Sequence, residues 1–282
     1  MNRVKSFSQM VFGFCVIVFL VVSDQPLFAQ AATGAAPAPN AQPADPATAY
    51  WEKLTPYQKS QVERMYTDWA YLAKYRDADK ELPPPPSDQI RVVFMGDSIT
   101  EGWGMKATAT SPARGEFFPG KPYLNRGISG QTTPQMLVRF RQDVIALKPK
   151  VVVLLAGTND IAENTGKMSL EETEGNIASM SELARANGIR PVLCSVLPST
   201  DFWWHKGLEP ALKIRALNAW IKGYAAKNDL VYVDYYPAME NAEGGLKKEY
   251  SPDGVHPNAA GYGIMAPLAE AGIAEALKKP LR

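Results

Sequence analysis

Hydrophobic and polar positions follow two alternating patterns from about residue 89 to the end of the chain. Short apolar runs rich in β-branched residues predict five strands, over Ile90–Met95, Pro122–Arg126, Val151–Ala156, Pro191–Val196 and Leu230–Asp234. Segments with apolar residues at helical spacing separate these runs. Near-continuous apolar strands alternating with amphipathic helices are typical of a parallel sheet covered on both faces. The pattern therefore predicts an α/β fold with about five parallel strands.

Capping and breaking residues set the bounds of the predicted helices. Thr133-Pro134 begins a helix that Lys148-Pro149 ends, and the capping box Ser169–Glu172 begins another that stops at Asn187-Gly188. A further helix is predicted over Pro210–Lys227, and Asn258 caps a last one that runs to about Lys278.

The first fifty residues have the composition of an export signal and a linker. Arg3 and Lys5 precede the apolar run Met10–Val22, and small residues follow it, which predicts a secretory signal peptide over residues 1–31. The apolar run is short for a membrane span, which takes about 20 residues. Residues 32–50 are rich in Ala and Pro and predict a flexible tether. We therefore expect a secreted or periplasmic protein without stable membrane insertion after cleavage.

Residues 51–86 are predicted to form an N-terminal helix and a proline spacer. Thr55-Pro56 is a helix start, apolar residues follow at helical spacing, and Pro83–Pro86 end the helix. Residues 87–282 then form one domain that contains all five predicted strands.

Composition excludes several classes of function. The 282 residues carry 30 Lys+Arg against 29 Asp+Glu, a net charge of +1, which argues against a nucleic-acid binder. Two cysteines exclude a disulfide scaffold and a Cys-rich zinc site. Cys194 lies in an apolar run and is predicted to be a buried, unreactive thiol.

Glycines and small polar residues follow the predicted strands. The segments are Gly96-Asp97-Ser98, Gly127-Ile128-Ser129-Gly130-Gln131, Gly157-Thr158-Asn159-Asp160 and, past a loop, Asp253-Gly254-Val255-His256. Any one of them could be an ordinary turn, because Gly, Asn, Asp and Ser dominate turns. Ligand sites in parallel sheets lie at the carboxyl ends of the strands. Together, the four segments suit an acyl-transfer site.

The chemistry of acyl transfer assigns a role to each of these residues. A serine hydroxyl such as Ser98 needs a base to take its proton. His256 is the better candidate of two histidines, because Asp253 lies three residues before it and can orient its ring, whereas His205 has only Asp201 at short spacing. Backbone N–H groups of Ser98 and Gly130 and the Asn159 amide could then stabilise the oxyanion.

These four ordered segments resemble those of the GDSL or SGNH hydrolase superfamily. The surrounding residues, Phe94–Thr100 and Asn125–Gly130, are similar to its branch near the platelet-activating-factor acetylhydrolase catalytic subunits and bacterial carbohydrate acetylesterases. The resemblance covers about Gln89–Lys278. It implies a flavodoxin-like three-layer α/β/α sandwich. We expect neither a cofactor nor a metal, because general-base catalysis can activate the serine and two histidines without clustered cysteines leave little for a zinc site. Many members of the superfamily carry Asp at the position of Gln131. This position lies outside the core chemistry.

The resemblance implies a role for each matching position of the chain. Ser98 would be the nucleophile, and Asp253 and His256 would complete the catalytic triad. Gly130 and Asn159 would complete the oxyanion hole with the Ser98 N–H.

The leading hypothesis is an exported serine esterase that removes short acyl groups, in particular O-acetyl groups on carbohydrate. Trp203, Trp204 and Phe117 are candidate residues of its substrate pocket. A lysophospholipase, a thioesterase or an acyltransferase could use the same triad, and a catalytically inactive carbohydrate-binding module is the alternative from a different class. The expected partner is a small acyl ester or an acetylated carbohydrate.

Overall fold

The computed structural model describes residues 51–85 and 89–280, and for Tyr57 and Gln58 only the backbone. The chain divides after Lys53. The following description concerns Leu54 onward. The expected signal peptide, residues 1–31, and the expected tether, residues 32–50, lie outside the described residues.

The centre of the fold is a five-stranded sheet in which every neighbouring pair is parallel. The spatial order of the strands is β2-β1-β3-β4-β5. Their bounds are β1 Val92–Gly96, β2 Tyr123–Gly127, β3 Val151–Leu155, β4 Arg190–Cys194 and β5 Val231–Val233. All five predicted strands are therefore present, with ends that lie within two residues of the prediction.

Nine α-helices and one short 3-10 helix, Ile145–Leu147, accompany the sheet in the described part of the chain from Leu54 onward; the α-helices have the following bounds. They are α1 Pro56–Thr67, α2 Ala73–Glu81, α3 Ser98–Glu101, α4 Thr133–Asp143, α5 Thr158–Ile161, α6 Leu170–Ala186, α7 Pro210–Lys227, α8 Tyr236–Met239 and α9 Ala259–Lys278. The predicted capping box at Ser169 and the cap at Asn258 are both formed.

Two apolar layers cover the sheet, one on each face. Side chains such as Met95 and Leu154 pack with Phe140 of α4, Met180 of α6 and the apolar side of α7. Alternate strand residues point to the opposite face and pack against α9, α8 and the loop after α3. The predicted three-layer α/β/α sandwich is confirmed.

The N-terminal region differs from the prediction, because it contains two helices rather than one. The chain turns between α1 and α2, where Tyr71 takes a positive φ of 53°. The carboxylate of Asp68 accepts hydrogen bonds from the backbone N–H groups of Leu72 and Ala73, at 2.7 and 2.8 Å. Asp68 thereby satisfies donors at the start of α2 that would otherwise lack partners.

Residues 54–85, hereafter the N-terminal segment, lie along edge strand β2 and helix α4. Arg126 of β2 donates from Nε to Asp79 Oδ1 of α2 at 3.0 Å, and both side chains are buried. The Tyr75 hydroxyl donates to the carbonyl of Gly127. Side-chain amides of Gln131, Gln135 and Gln142 donate to carbonyls of the turn between α1 and α2. These polar contacts fix the segment beside the carboxyl end of the sheet.

Candidate active site

Ser98 is presented at the carboxyl end of β1 by a turn with little free space. A Cβ on Gly96 would lie 2.1 Å from Thr100 Oγ1 and 2.8 Å from the carbonyl oxygen of Leu155, so only glycine fits there. Asp97 then caps the short helix α3 by accepting a hydrogen bond from Ile99 N at 2.9 Å. The turn directs Ser98 into a cleft above the sheet.

The loop before α9 brings Asp253 and His256 to Ser98. The carboxylate Oδ2 of Asp253 lies 2.7 Å from His256 Nδ1, and His256 Nε2 lies 2.9 Å from Ser98 Oγ. Because a carboxylate accepts hydrogen bonds, Nδ1 carries the proton and Nε2 is left to accept from the serine hydroxyl. The arrangement is a continuous chain of two hydrogen bonds from serine to carboxylate.

Backbone donors hold Asp253 in its charged form. Its Oδ1 accepts from the backbone N–H groups of Val255 and His256, at 3.0 and 2.8 Å. Partial burial alone would raise the pKa of Asp253. The hydrogen bonds from the His256 ring and from the two backbone groups outweigh that effect and hold the pKa well below its usual range.

Gly130 in the loop after β2 and Asn159 in helix α5 after β3 line the same cleft as Ser98. Gly130 takes a φ of 78°, a conformation that favours glycine. Asn159 is buried at the start of α5, and its Nδ2 donates to Asp97 Oδ2 at 3.2 Å and to the Gln131 carbonyl at 3.0 Å. A substrate oxygen would therefore have to replace Asp97 or the Gln131 carbonyl as the acceptor of one of these two hydrogen bonds.

Asn164 connects both sides of the cleft, and sequence reasoning missed it. Its Nδ2 donates to Asn159 Oδ1 at 2.7 Å and to the Gly130 carbonyl at 3.2 Å. Its Oδ1 accepts from the indole N–H of Trp204 at 2.8 Å. Asn164 lies in an ordinary turn after α5, so no motif or spacing distinguishes it in the sequence.

Of the three predicted pocket residues, two line the cleft. Trp203 is exposed there, and the ring of Trp204 lies 6.4 Å from that of His256. Phe117 does not line the cleft, which corrects its assignment. Its ring packs 5.1 Å from those of Phe94 and Phe118 in an aromatic cluster on one face of the sheet, because these side chains bury the loop after α3.

Two other residues named from the sequence lie apart from the proposed chemistry. His205 Nδ1 lies 2.8 Å from the Ala162 carbonyl, and the ring is not part of the cleft lining. Cys194 is buried at the end of β4, and burial raises the pKa of its thiol to about 12. A thiol with so high a pKa carries almost no thiolate at neutral pH.

A fully buried arginine supports the loop that carries Gly130. Arg139 of α4 pairs with Asp143 at 2.9 Å and donates to the carbonyls of Gly96 and Arg126 at the ends of β1 and β2, at 2.9 and 2.8 Å. Its Nε also donates to Gln131 Oε1. One guanidinium therefore holds two strand ends and the residue after Gly130.

The N-terminal segment forms one wall of the cleft. Val62, Met65, Trp69 and Tyr71 line it opposite the sheet-edge loops, and the cleft has a volume of about 520 Å³. It is open and wide enough for a sugar unit as well as an acyl group. The sequence predicted the helix but not its place beside Ser98.

The family model that matches this chain decides its membership. The model of the GDSL-like lipase/acylhydrolase family matches residues 94–264, which include Ser98, Gly130, Asn159, Asp253 and His256. The chain belongs to this family. The resemblance expected from the sequence is thereby confirmed.

Solved structures and curated proteins add more distant likenesses. A GDSL-like lipase from Bacteroides thetaiotaomicron is 45% identical, covers 74% of this chain and 100% of its own, and superposes with a TM-score of 0.69. An acetylxylan esterase from Xylanibacter ruminicola is 28% identical over 69% of this chain and 45% of its own length. An uncharacterized lipoprotein of Bacillus subtilis is 38% identical over 27% of this chain and 32% of its own. The chain thus spans less than half the length of these two curated relatives.

Proposed function

We propose that this member of the family is an exported serine esterase that removes O-acetyl groups from carbohydrate. The observation that carries the proposal is the hydrogen-bond chain from Ser98 Oγ through His256 to Asp253, with donor–acceptor distances of 2.9 and 2.7 Å. It lies at the edge of a cleft that also contains Gly130 and Asn159.

In this proposal, the ester is cleaved in two steps through an acyl-enzyme. His256 Nε2 takes the proton of Ser98 as the hydroxyl oxygen attacks the ester carbonyl, and Asp253 stabilises the imidazolium that forms. His256 then returns the proton to the leaving sugar oxygen. A water molecule attacks the acyl-enzyme with the same base, which releases acetate and restores Ser98.

The oxyanion formed in each step would be held by the Ser98 and Gly130 N–H groups and by Asn159. In the free enzyme, the Asn159 amide is occupied by Asp97 and the Gln131 carbonyl, at 3.2 and 3.0 Å. Charge on the oxyanion makes it a stronger acceptor than a neutral carbonyl, so the amide exchanges one partner in the transition state.

Two observations support a carbohydrate ester as the substrate. The relative from Xylanibacter ruminicola is an acetylxylan esterase. The cleft also presents the exposed indoles of Trp69 and Trp203, and flat aromatic faces suit the apolar faces of sugar rings.

Export is inferred from the first 31 residues. Their basic start, short apolar core and small residues have the order of a signal peptide. Among the described residues, none of the helices is both long and apolar enough to cross a membrane. N-terminal sequencing of the mature protein tests the inference: a start near residue 32 is expected, and an intact Met1 on the exported chain contradicts it.

The catalytic proposal is tested with Ser98→Ala. We expect kcat for p-nitrophenyl acetate and for acetylated xylo-oligosaccharide to fall on the order of a millionfold, because the nucleophile is lost. Ser179→Ala is the matched control, since Ser179 lies partly exposed on α6 and its hydroxyl donates to the Gly175 carbonyl of the same helix. A Ser98→Ala variant that keeps a tenth of wild-type turnover overturns the assignment.

A further inference from the structure

A permanent positive charge lines the same cleft as the proposed nucleophile. Among the described residues that line the cleft, Arg64 of α1 is the only side chain with a charge that is permanent at neutral pH. No aspartate or glutamate is among these residues. The N-terminal segment thus brings a cation to a cleft that otherwise consists of aromatic, aliphatic and neutral polar groups.

Arg64 is held in place without being neutralised. Its guanidinium carbon lies 4.3 Å from the centre of the Tyr71 ring, and Nη2 donates to Gln61 Oε1. Its Nε is buried and has no hydrogen-bond partner among the described residues. None of the ion pairs among the described residues involves Arg64.

A neighbouring lysine, Lys74, differs from Arg64 because it has an acidic partner. Lys74 lies 5.7 Å from the same Tyr71 ring, but it is paired with Glu101 at 2.7 Å. The two cations beside Tyr71 therefore differ: one is balanced within the protein, and the other has donors left for a ligand.

We propose that Arg64 binds a carboxylate of the substrate, so that the enzyme acts on an acetylated acidic carbohydrate, a saccharide that carries uronic acid units. This inference rests on the esterase function proposed above. A guanidinium offers donors in a planar fork that matches a carboxylate, and stacking on Tyr71 pre-orients that fork. A phosphate can accept the same pair of hydrogen bonds from the guanidinium. The exposed indoles of Trp69 and Trp203 in the same cleft favour a sugar as the part of the substrate that carries the negative charge.

The test compares two acetylated xylo-oligosaccharides that differ only in a glucuronic acid branch. For the wild type, we expect kcat/KM to be about tenfold higher for the acidic ester, mainly through a lower KM, which corresponds to about 1.4 kcal/mol. The preference should shrink as salt is raised, because an accessible ion pair is screened. In Arg64→Gln it should disappear, and in Arg64→Lys it should be kept in part.

Arg76→Gln is the matched control. Arg76 is exposed on α2 in the same N-terminal segment and does not line the cleft. The Arg76→Gln variant should keep both the activity of the wild type and its preference for the acidic ester. The ratio of the two kcat/KM values is the readout, because a general loss of folding in Arg64→Gln lowers both values and leaves their ratio unchanged.

The possible outcomes separate the two proposals. A wild type that cleaves neither ester overturns the proposed function. A wild type that cleaves both with equal kcat/KM, or a preference that Arg64→Gln retains, overturns the role of Arg64 alone. A third substrate, acetylated glycerol phosphate, distinguishes the source of the charge: dependence on Arg64 with this ester but not with the uronic acid ester overturns the carbohydrate assignment.

Discussion

Asp97, the residue before Ser98, is a buried carboxylate, and none of the cationic side chains that the structure describes hydrogen-bonds to it. Its Oδ1 accepts from Ile99 N and its Oδ2 from Asn159 Nδ2, at 2.9 and 3.2 Å. Burial raises the pKa of Asp97 to about 6, and the hydrogen bond from Ile99 N only partly opposes it. The carboxylate therefore aligns the Asn159 amide at a cost in stability.

The raised pKa gives the fold a defined pH dependence. An aspartate has a pKa of about 3.9 when unfolded, so the folded state binds more protons between about pH 4 and 6 and loses stability as the pH rises through that range. Asp97→Asn cannot titrate. We expect the free energy of unfolding of Asp97→Asn, relative to wild type, to rise by roughly 2 kcal/mol between about pH 4 and pH 8.

Denaturant unfolding of both proteins at the two pH values checks this prediction. Any constant effect of the new amide on Asn159 cancels in the comparison. A difference that stays the same at both pH values would mean that the pKa of Asp97 is not raised in the fold.

Asn159→Ala tests the proposed oxyanion donor. Because the amide would meet charge that develops only in the transition state, we expect kcat to fall by a factor that corresponds to about 3 kcal/mol, with KM little changed. Steady-state kinetics with p-nitrophenyl acetate measure both constants. Asn187→Ala is the control, since Asn187 lies exposed at the end of α6. A large rise in KM at constant kcat would instead make Asn159 a ground-state binding residue.

Prediction from the sequence succeeds where a residue's chemistry is local. Asp253 and His256 lie three residues apart, and the structure joins them within one turn. Asn164 and Arg139 were missed because their roles depend on atoms brought from distant parts of the chain. The sequence places Gln131 outside the core chemistry, yet its buried amide links Arg139 to the carbonyl of Ala70.

At the scale of elements, the strands and long helices follow from apolar periodicity and caps, as the agreement over Pro210–Lys227 illustrates. The structure of the N-terminal region does not follow from these patterns. The break between α1 and α2 depends on the hydrogen bonds that the Asp68 carboxylate accepts from backbone N–H groups. An aspartate five residues before a helical segment is too common to be a reliable signal. The position of these helices depends on pairing with β2, which no local pattern encodes.

The ion pair between Asp79 and Arg126 should contribute strongly to this position. Both side chains are buried, so Asp79→Ala leaves an unpaired guanidinium, and we expect a loss of about 3 kcal/mol in the free energy of unfolding. Asp77→Ala is the matched control on the same helix, because its pair with Lys80 is exposed and should change stability by less than about 0.5 kcal/mol. Equal effects in the two variants, measured by denaturant unfolding, would show that the buried pair does not hold α2.

At the scale of the whole molecule, separate parts of the chain meet around Ser98. The sheet edge supplies small polar groups, among them Ser129, Gly130 and Asn159. The N-terminal segment supplies the aliphatic side chains of Val62 and Met65, and the loop after β4 supplies two tryptophans. The surface nearest the reacting carbonyl is therefore polar, and the apolar surface lies on the walls of an open cleft.

This distribution predicts how activity depends on the length of the acyl chain. A fully buried methylene contributes about 0.8 kcal/mol, so an enclosed acyl tunnel would raise kcat/KM with each added carbon. Because the groups around Ser98 are polar, we expect p-nitrophenyl acetate to react best and kcat/KM to fall from butyrate to octanoate. If kcat/KM climbs from acetate to octanoate instead, and Met65→Ala removes the climb, the aliphatic wall binds acyl chains. The enzyme would then be a lipase or thioesterase rather than an acetylesterase.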